Sequence, residues 1–211
     1  MHFSLPDIEN MDHRFKVNFI NSLSGFKSAN LVGSIDKNDQ HNLAIISSVF
    51  HLGADPALMG FINRPDSVER HTLSNIIETG FFTLNNVTQS MYKQAHQTSA
   101  RYAKTESEFD ETGLIPIFSN TIAAPYVEQS TVRIGLELVE QSQIKYNNTH
   151  LVIGKIVEVI VQDNVIQNDG YIDIEQLNTV AVSGLDNYHT THRLERLAYA
   201  KSGVQPKPLI I

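Results

Sequence analysis

The sequence predicts a mainly β protein, an antiparallel sheet closed or nearly closed into a barrel with helices at its periphery. Three observations lead there. Six long apolar or alternating runs recur along 211 residues, polar turn formers separate neighbouring runs, and only three segments carry helical spacing. The length suits one large or two small domains, and one is expected over residues 1–211. With 41% hydrophobic and 18% charged residues, the chain is too balanced to be disordered.

The strands are ANLVGSI (29–35), NLAIISSVF (42–50), ALMGFIN (57–63), FFTLNNV (81–87), VRIGLELVE (132–140) and HLVIGKIVEVIV (150–161). DKNDQH joins the first two and HLGADP the next two, so neighbours should pair as an antiparallel meander. The first helix takes Asp66 or Ser67 as N-cap, sets Leu73, Ile76 and Ile77 on one face, and meets Gly80 where a left-handed stop is wanted. The second runs from Thr88 to about Ala100, with Met91, Ala95 and Tyr92 turned inward. The third is THRLERLAYA, with Leu194, Leu197 and Ala198 at helical spacing. So many strands with so few helices favour closure, which removes the exposed edges that invite aggregation.

Composition excludes several functions. A formal charge of −7 argues against nucleic acid as a partner, because a phosphate backbone demands a broad basic face. The absence of cysteine removes disulfides, thiolate metal sites and a cysteine nucleophile. No basic leader precedes an apolar run, and no stretch reaches the ~20 apolar residues of a membrane span, so a cytoplasmic protein that does not enter membranes is expected. Dinucleotide, phosphate-loop, nucleophile-elbow and zincin motifs are missing. His189 and His192 in YHTTH could share a helix face, but no carboxylate or third ligand accompanies them, and no metal site is expected.

Residues 64–72 hold a stronger candidate. Arg64 closes a buried strand, Pro65 fixes the exit angle, and the following helix presents its unpaired N–H groups beside Arg70, His71 and Thr72. A guanidinium fork, a hydroxyl and a helix end could together seat a phosphate in an otherwise acidic protein. Alternatively, Glu69 and Arg70 simply solvate the first turn.

The stretches NLAIISSVFHLGADPALMGFI, RHTLSNIIETGFFTLN, APYVEQS and HLVIGKIVEV resemble, in order and spacing, the flavin reductase-like FMN-binding split-barrel family. The matching patterns are Asn-x-Ala-x-x-Ser from Asn42, Asp-Pro before the third strand, a basic residue two before a threonine at Arg70, and Thr-Gly-x-Phe-x-x-Asn from Thr79. The resemblance covers about residues 20–200. It implies a homodimeric, six-stranded antiparallel split barrel that binds FMN near the dimer interface. By position, Asn42, Ala44, Ser47, Ser48 and Val49 fall along the isoalloxazine and ribityl chain, and Arg64, Arg70 and Thr72 on the phosphate side. Ile45 stands where the family usually has proline, and His71 replaces a common acidic residue, adding a phosphate donor. Small hydroxyl residues such as Ser47 and Ser48 let the backbone approach a flat ring and donate N–H groups to its edge. Lys27 and Asn30 rank second as phosphate or flavin-edge contacts, and Tyr188 and His189 lie where the C-terminal region approaches the flavin on the nicotinamide side.

The implied activity is an oxidoreductase in which NAD(P)H delivers hydride to flavin N5, the flavin carrying the chemistry. No catalytic acid, base or nucleophile is then required, although His189 is a candidate. A non-enzymatic FMN carrier or storage protein is the alternative, and a flavin-free histidine–metal barrel is a third.

Overall fold

The computed structural model describes residues 1–65 and 71–209. The chain enters through two helices, α1 (Leu5–Glu9) and α2 (His13–Ser22), and a short strand β1 (Lys27–Ser28). The sheet follows as β2 (Asn30–Ile35), β3 (His41–Ile46), β4 (Phe50–Ala54) and β5 (Ala57–Asn63). After α3 (His71–Thr79) come β6 (Phe81–Asn86), α4 (Tyr92–Gln97), α5 (Glu108–Thr112) and the short strands β7 (Pro116–Ile117) and β8 (Tyr126–Val127). Two long strands, β9 (Val132–Ile144) and β10 (Thr149–Val161), form a hairpin, and β11 (Ala181–Ser183) and β12 (Asn187–His189) complete the set.

The main sheet runs β3-β2-β6-β9-β10-β5-β4 with every neighbour antiparallel. Its two edge strands, β3 and β4, are successive in the chain and joined only by Ser47, Ser48 and Val49. Four Cα steps reach roughly 14 Å at most, so the edges must lie together and the sheet must curl shut. Six expected runs thus become seven strands, because the unbroken apolar run 42–50 contains the seam. Its composition hides the break: no glycine or proline marks it. The seam is stitched to β5 by Ser48 Oγ, which accepts from Ile62 N at 3.1 Å and donates to Ile62 O at 2.9 Å.

Strand alternation divides two cores. Val32, Phe61, Phe82, Leu84, Leu136 and Val152 fill the barrel, with Leu73 and Ile76 of α3 packed against them. Leu31 and Leu43, one residue out of phase, pack outside with Met91, Ala95, Phe109 and Val127. Fully burying each such side chain stabilises by about 1.5–3 kcal/mol before conformational entropy is subtracted. The β2–β3 turn is held by Asp36, whose carboxylate accepts from Asn38 N at 2.8 Å and Gln40 N at 3.0 Å.

Helix α3 ends as expected at Gly80, whose φ is 77° and whose N–H donates to Ile76 O at 2.9 Å. Ile77, expected on the apolar face, is exposed instead; Thr72 and Asn75 join Leu73 and Ile76 on the buried face. Helix α4 is shorter than the expected 88–100, because Thr88 pairs with Thr179 in an isolated bridge and Thr98 caps the last turn by donating to Ala95 O at 2.8 Å. THRLERLAYA forms no helix. Arg193 pairs with Asp173 at 3.2 Å and Arg196 with Asp169 at 2.6 Å, and these anchors hold the segment extended while Leu194 faces solvent. Among the described residues no helix is long and apolar enough to cross a membrane.

Candidate functional site

The seam is the centre of the candidate site. Ser47, Ser48 and Val49 lie outside any strand and are half-buried, and their three N–H groups donate to no acceptor among the described residues. Buried backbone donors are normally paired, so three successive half-buried N–H groups without a partner among the described residues leave donor capacity at the seam for an electron-rich ligand edge. The Ser47 hydroxyl also makes no hydrogen bond to the described residues, whereas Ser48 Oγ is engaged with Ile62 and the Val49 side chain packs on the barrel core. Ser48 and Val49 therefore present backbone rather than side chain.

Along β3, Asn42, Ala44 and Ile46 share one face and Leu43 and Ile45 the other. Asn42 is buried; its Nδ2 donates to Thr72 Oγ1 at 2.9 Å and lies 3.3 Å from Ser34 Oγ. This bond joins β3 to the first turn of α3. Accepting it leaves the Thr72 proton available for another acceptor. Ala44 is half-buried and pairs with Val32. Arg64 is exposed one residue past β5, two from the Ile62 that holds Ser48. Arg70 lies outside the described residues. His71 opens α3 and lines a polar cleft of about 10 Å³ with Asp36, His41, Asn42 and Glu106, so carboxylates flank it there.

Two residues missed by sequence reasoning seal the outer edge of β3. Glu108 Oε2 accepts from Leu43 N and Thr98 Oγ1 from Ile45 N, both at 2.9 Å. Burial pushes the Glu108 carboxyl above its usual range, against hydrogen bonds from backbone N–H groups and the nearby His71. Nothing in SEFDET distinguishes a buried acid from a solvated one.

Tyr188 and His189 point to opposite faces of β12. Tyr188 lines a groove of about 510 Å³ with Tyr92, Lys93, His96, Asp186 and Asn187. Its hydroxyl lies 3.0 Å from His96 Nδ1, its ring centroid 5.4 Å from that of Tyr92, and burial followed by the Asp186 charge raises its pKa. Tyr92, Tyr188 and Ile45 pack on one cluster, so the groove flanks the strand that leads into the seam. His96 was legible in principle, four residues after Tyr92 on one helical face. His189 Nε2 lies instead 2.8 Å from Ser183 Oγ, with Phe26 against its ring. His192 is exposed and shares no helix with His189, and among the described residues no cluster of three or more His, Cys, Asp or Glu is placed to hold a metal.

The second-rank residues, Lys27 and Asn30, make internal contacts. Lys27 Nζ donates to Asn21 O at 3.2 Å and Gly184 O at 2.7 Å, tying α2 to the β11–β12 turn. Asn30 is buried and donates to Ser28 Oγ at 3.0 Å. Arg193 is committed to Asp173, away from the groove residues.

A curled antiparallel sheet with a seam of unpaired donors between its edges defines a split barrel. The flavin reductase like domain model matches residues 25–181, and the chain belongs to that family. An inferred flavin reductase with a split barrel domain from Shewanella frigidimarina NCIMB 400 is 53% identical, with 95% of this chain and 100% of that one covered at a TM-score of 0.92. The same fold occurs in nitrilotriacetate monooxygenase component B from Bacillus cereus, 22% identical over 93% of this chain and 98% of that one, TM-score 0.82. It also occurs in the flavoredoxin of Desulfovibrio vulgaris (Miyazaki F), 23% identical over 96% and 99%, TM-score 0.72.

Proposed function

We propose that this chain is a single-domain, cytoplasmic, FMN-binding oxidoreductase that acts as a homodimer with NAD(P)H as electron donor. The observation that carries the proposal is the row of unpaired N–H groups at Ser47, Ser48 and Val49, in a chain of the flavin reductase-like family. In a flavoprotein such a row meets the polar edge of the ring, and donors fixed by the fold need no reorganisation when charge develops there. Ser48 is suited to hold the row in place because Ile62 locks its side chain, and Ala44, lacking bulk, leaves room beside it.

The phosphate is assigned to Arg64, Arg70, His71 and Thr72. Asn42 orients Thr72 so that its hydroxyl proton can be donated outward. Tyr188 and Tyr92 offer aromatic faces beside the seam for a second planar substrate, whereas His189 supports β12 from behind through Ser183. Lys27 and Asn30 stay second in rank, since the contacts they make are internal. The chemistry supplied by bound flavin is hydride transfer at N5, which asks no acid, base or nucleophile of the protein.

The test is the visible spectrum of the purified protein before and after NADH is added without air. A flavin band that bleaches is expected. A band that persists in the presence of NADH and NADPH would mark a flavin carrier, and a colourless protein that takes up no FMN in a fluorescence titration would overturn the reading.

A further inference from the structure

We propose that Ser34 and Asn75 are positioning residues that make the site selective for a phosphorylated flavin, by holding Thr72 ready to donate to the phosphate. The inference rests on the phosphate assignment proposed above and adds to it two residues that act through Thr72. Ser34 lies on β2 opposite Asn42 of β3 and is wholly buried, with Asn42, Thr72 and Asn75 nearly so. Its hydroxyl oxygen accepts from Asn42 Nδ2 and from Asn75 Nδ2, each at 3.3 Å. Asn75 stands three residues after Thr72 on the buried face of α3, so one serine grips both the neighbouring strand and the helix.

The proton count gives the cluster a direction. Asn42 Nδ2 carries two protons, and with one on Ser34 the other goes to Thr72 Oγ1, 2.9 Å away. Thr72 thus accepts from the interior, and its own proton meets no acceptor among the described residues. Without the Ser34 oxygen, the Asn42 amide is free to turn its own oxygen toward Thr72, which draws the threonine proton inward and away from a phosphate. Cohesion alone does not call for such a cluster. Leu73 and Ile76 already seat α3 on the barrel core, and hydrogen bonds between neutral groups gain little over the bonds to water they replace. What a fully made buried network adds is a single geometry, here that of the first turn of α3 against β3. A phosphate gains from a donor already aimed, because less ordering is left for the moment of binding. Riboflavin has the same ring and ribityl chain but ends in a neutral hydroxyl, so it forgoes the charge-assisted contact.

Fluorescence titration of the full chain with FMN and with riboflavin provides the test. The wild type is expected to bind FMN the more tightly. Ser34→Ala should narrow that preference by roughly three- to tenfold, through FMN alone, while riboflavin affinity stays the same. Thr72→Val should narrow it likewise, and adding Ser34→Ala to Thr72→Val should cost nothing more, since the two act through one hydroxyl. If Ser34→Ala weakens both flavins alike, keeps the wild-type preference, or loses further FMN in the Thr72→Val background, the serine serves packing only and the inference is overturned, whereas a narrowed preference in Thr72→Val alone still upholds the phosphate assignment. A wild type that binds both flavins equally overturns the assignment and the inference together, and one that binds neither overturns the flavin reading with them. Should Ser34→Ala fail to fold, Asn75→Ala decides by the same ratio: a narrower preference for FMN supports the inference, and an unchanged one overturns it.

Discussion

At the scale of the residue, a few buried polar groups fix β3, and each makes a distinct prediction. Glu108 holds Leu43 N with a carboxylate that burial has pushed above its unfolded pKa. A raised pKa favours folding below the unfolded value, about 4.3, and that contribution is lost as pH rises through the folded pKa. Glu108→Gln keeps an acceptor and removes the titration, so its urea midpoint relative to wild type should rise between pH ~4 and pH ~7. Glu108→Leu orphans the Leu43 N–H and should cost about 1–3 kcal/mol by the same measurement. Tyr126 is fully buried and donates to Glu158 Oε2 at 2.6 Å; burial, with the Glu158 hydrogen bond and charge, raises its pKa. Its stabilisation is therefore complete below the unfolded value of about 10 and declines above it. Tyr126→Phe should flatten the alkaline limb of a stability–pH profile. For the proposed phosphate side, Arg64→Ala removes a charge-assisted contact worth about 1.5–3 kcal/mol, so FMN should bind roughly ten- to a hundredfold more weakly in a fluorescence titration while the melting temperature without flavin stays the same. None of the partners of Glu108 or Tyr126 was legible in the sequence, because a bond over 65 residues, as from Glu108 to Leu43, leaves no local spacing to read.

At the scale of the element, what was legible is what repeats locally. Strands β2, β5, β6, β9 and β10 could be read because their side chains alternate between environments, and the stop of α3 because only a residue tolerant of positive φ suits Gly80. The third helix failed for the opposite reason. Leu194, Leu197 and Ala198 have helical spacing, but spacing forms a helix only when the stripe has something to cover, and ion pairs to Asp169 and Asp173 fix another path. Within β2, Gly33 carries a constraint that propensity does not reveal. A Cβ there would overlap the Pro125 carbonyl oxygen and lie 2.5 Å from Thr83 Oγ1. Because the carbonyl is backbone it cannot step aside, so Gly33→Ala should destabilise by about 1–3 kcal/mol or more and separate β2 from the chain before β8, seen as a lower thermal midpoint.

At the scale of the whole molecule, barrel closure was predicted from strand number and the wish to avoid edges, while the position of the closure was not. Composition did not place it, since no glycine or proline marks the break at Ser47–Val49 and its two serines also suit a strand. The candidate site follows the same division: Asn42, Ser47, Ser48, Val49 and Thr72 were singled out through their order in the chain, whereas Tyr92, His96, Thr98 and Glu108 adjoin β3 only through the packing of α4 and α5. A ligand held by groups on β3, the seam, β5 and α3 binds the folded state alone. FMN at a hundred times its dissociation constant should therefore raise stability by about 2.7 kcal/mol, read as an upward shift of the thermal midpoint that saturates with flavin.

The three-residue seam has a mechanical consequence. Since β3 and β4 exchange no ladder bonds with each other, the barrel is a ribbon whose opposite margins are leashed rather than zipped. A protease cut at residues 47–49 would spare every strand pair yet release the leash, turning a closed surface into an open sheet with two raw margins ready to recruit other chains. Whatever fills that gap acts as a clasp, so amide exchange along both margins should slow together when the clasp is in place, although they stand at opposite ends of the strand order.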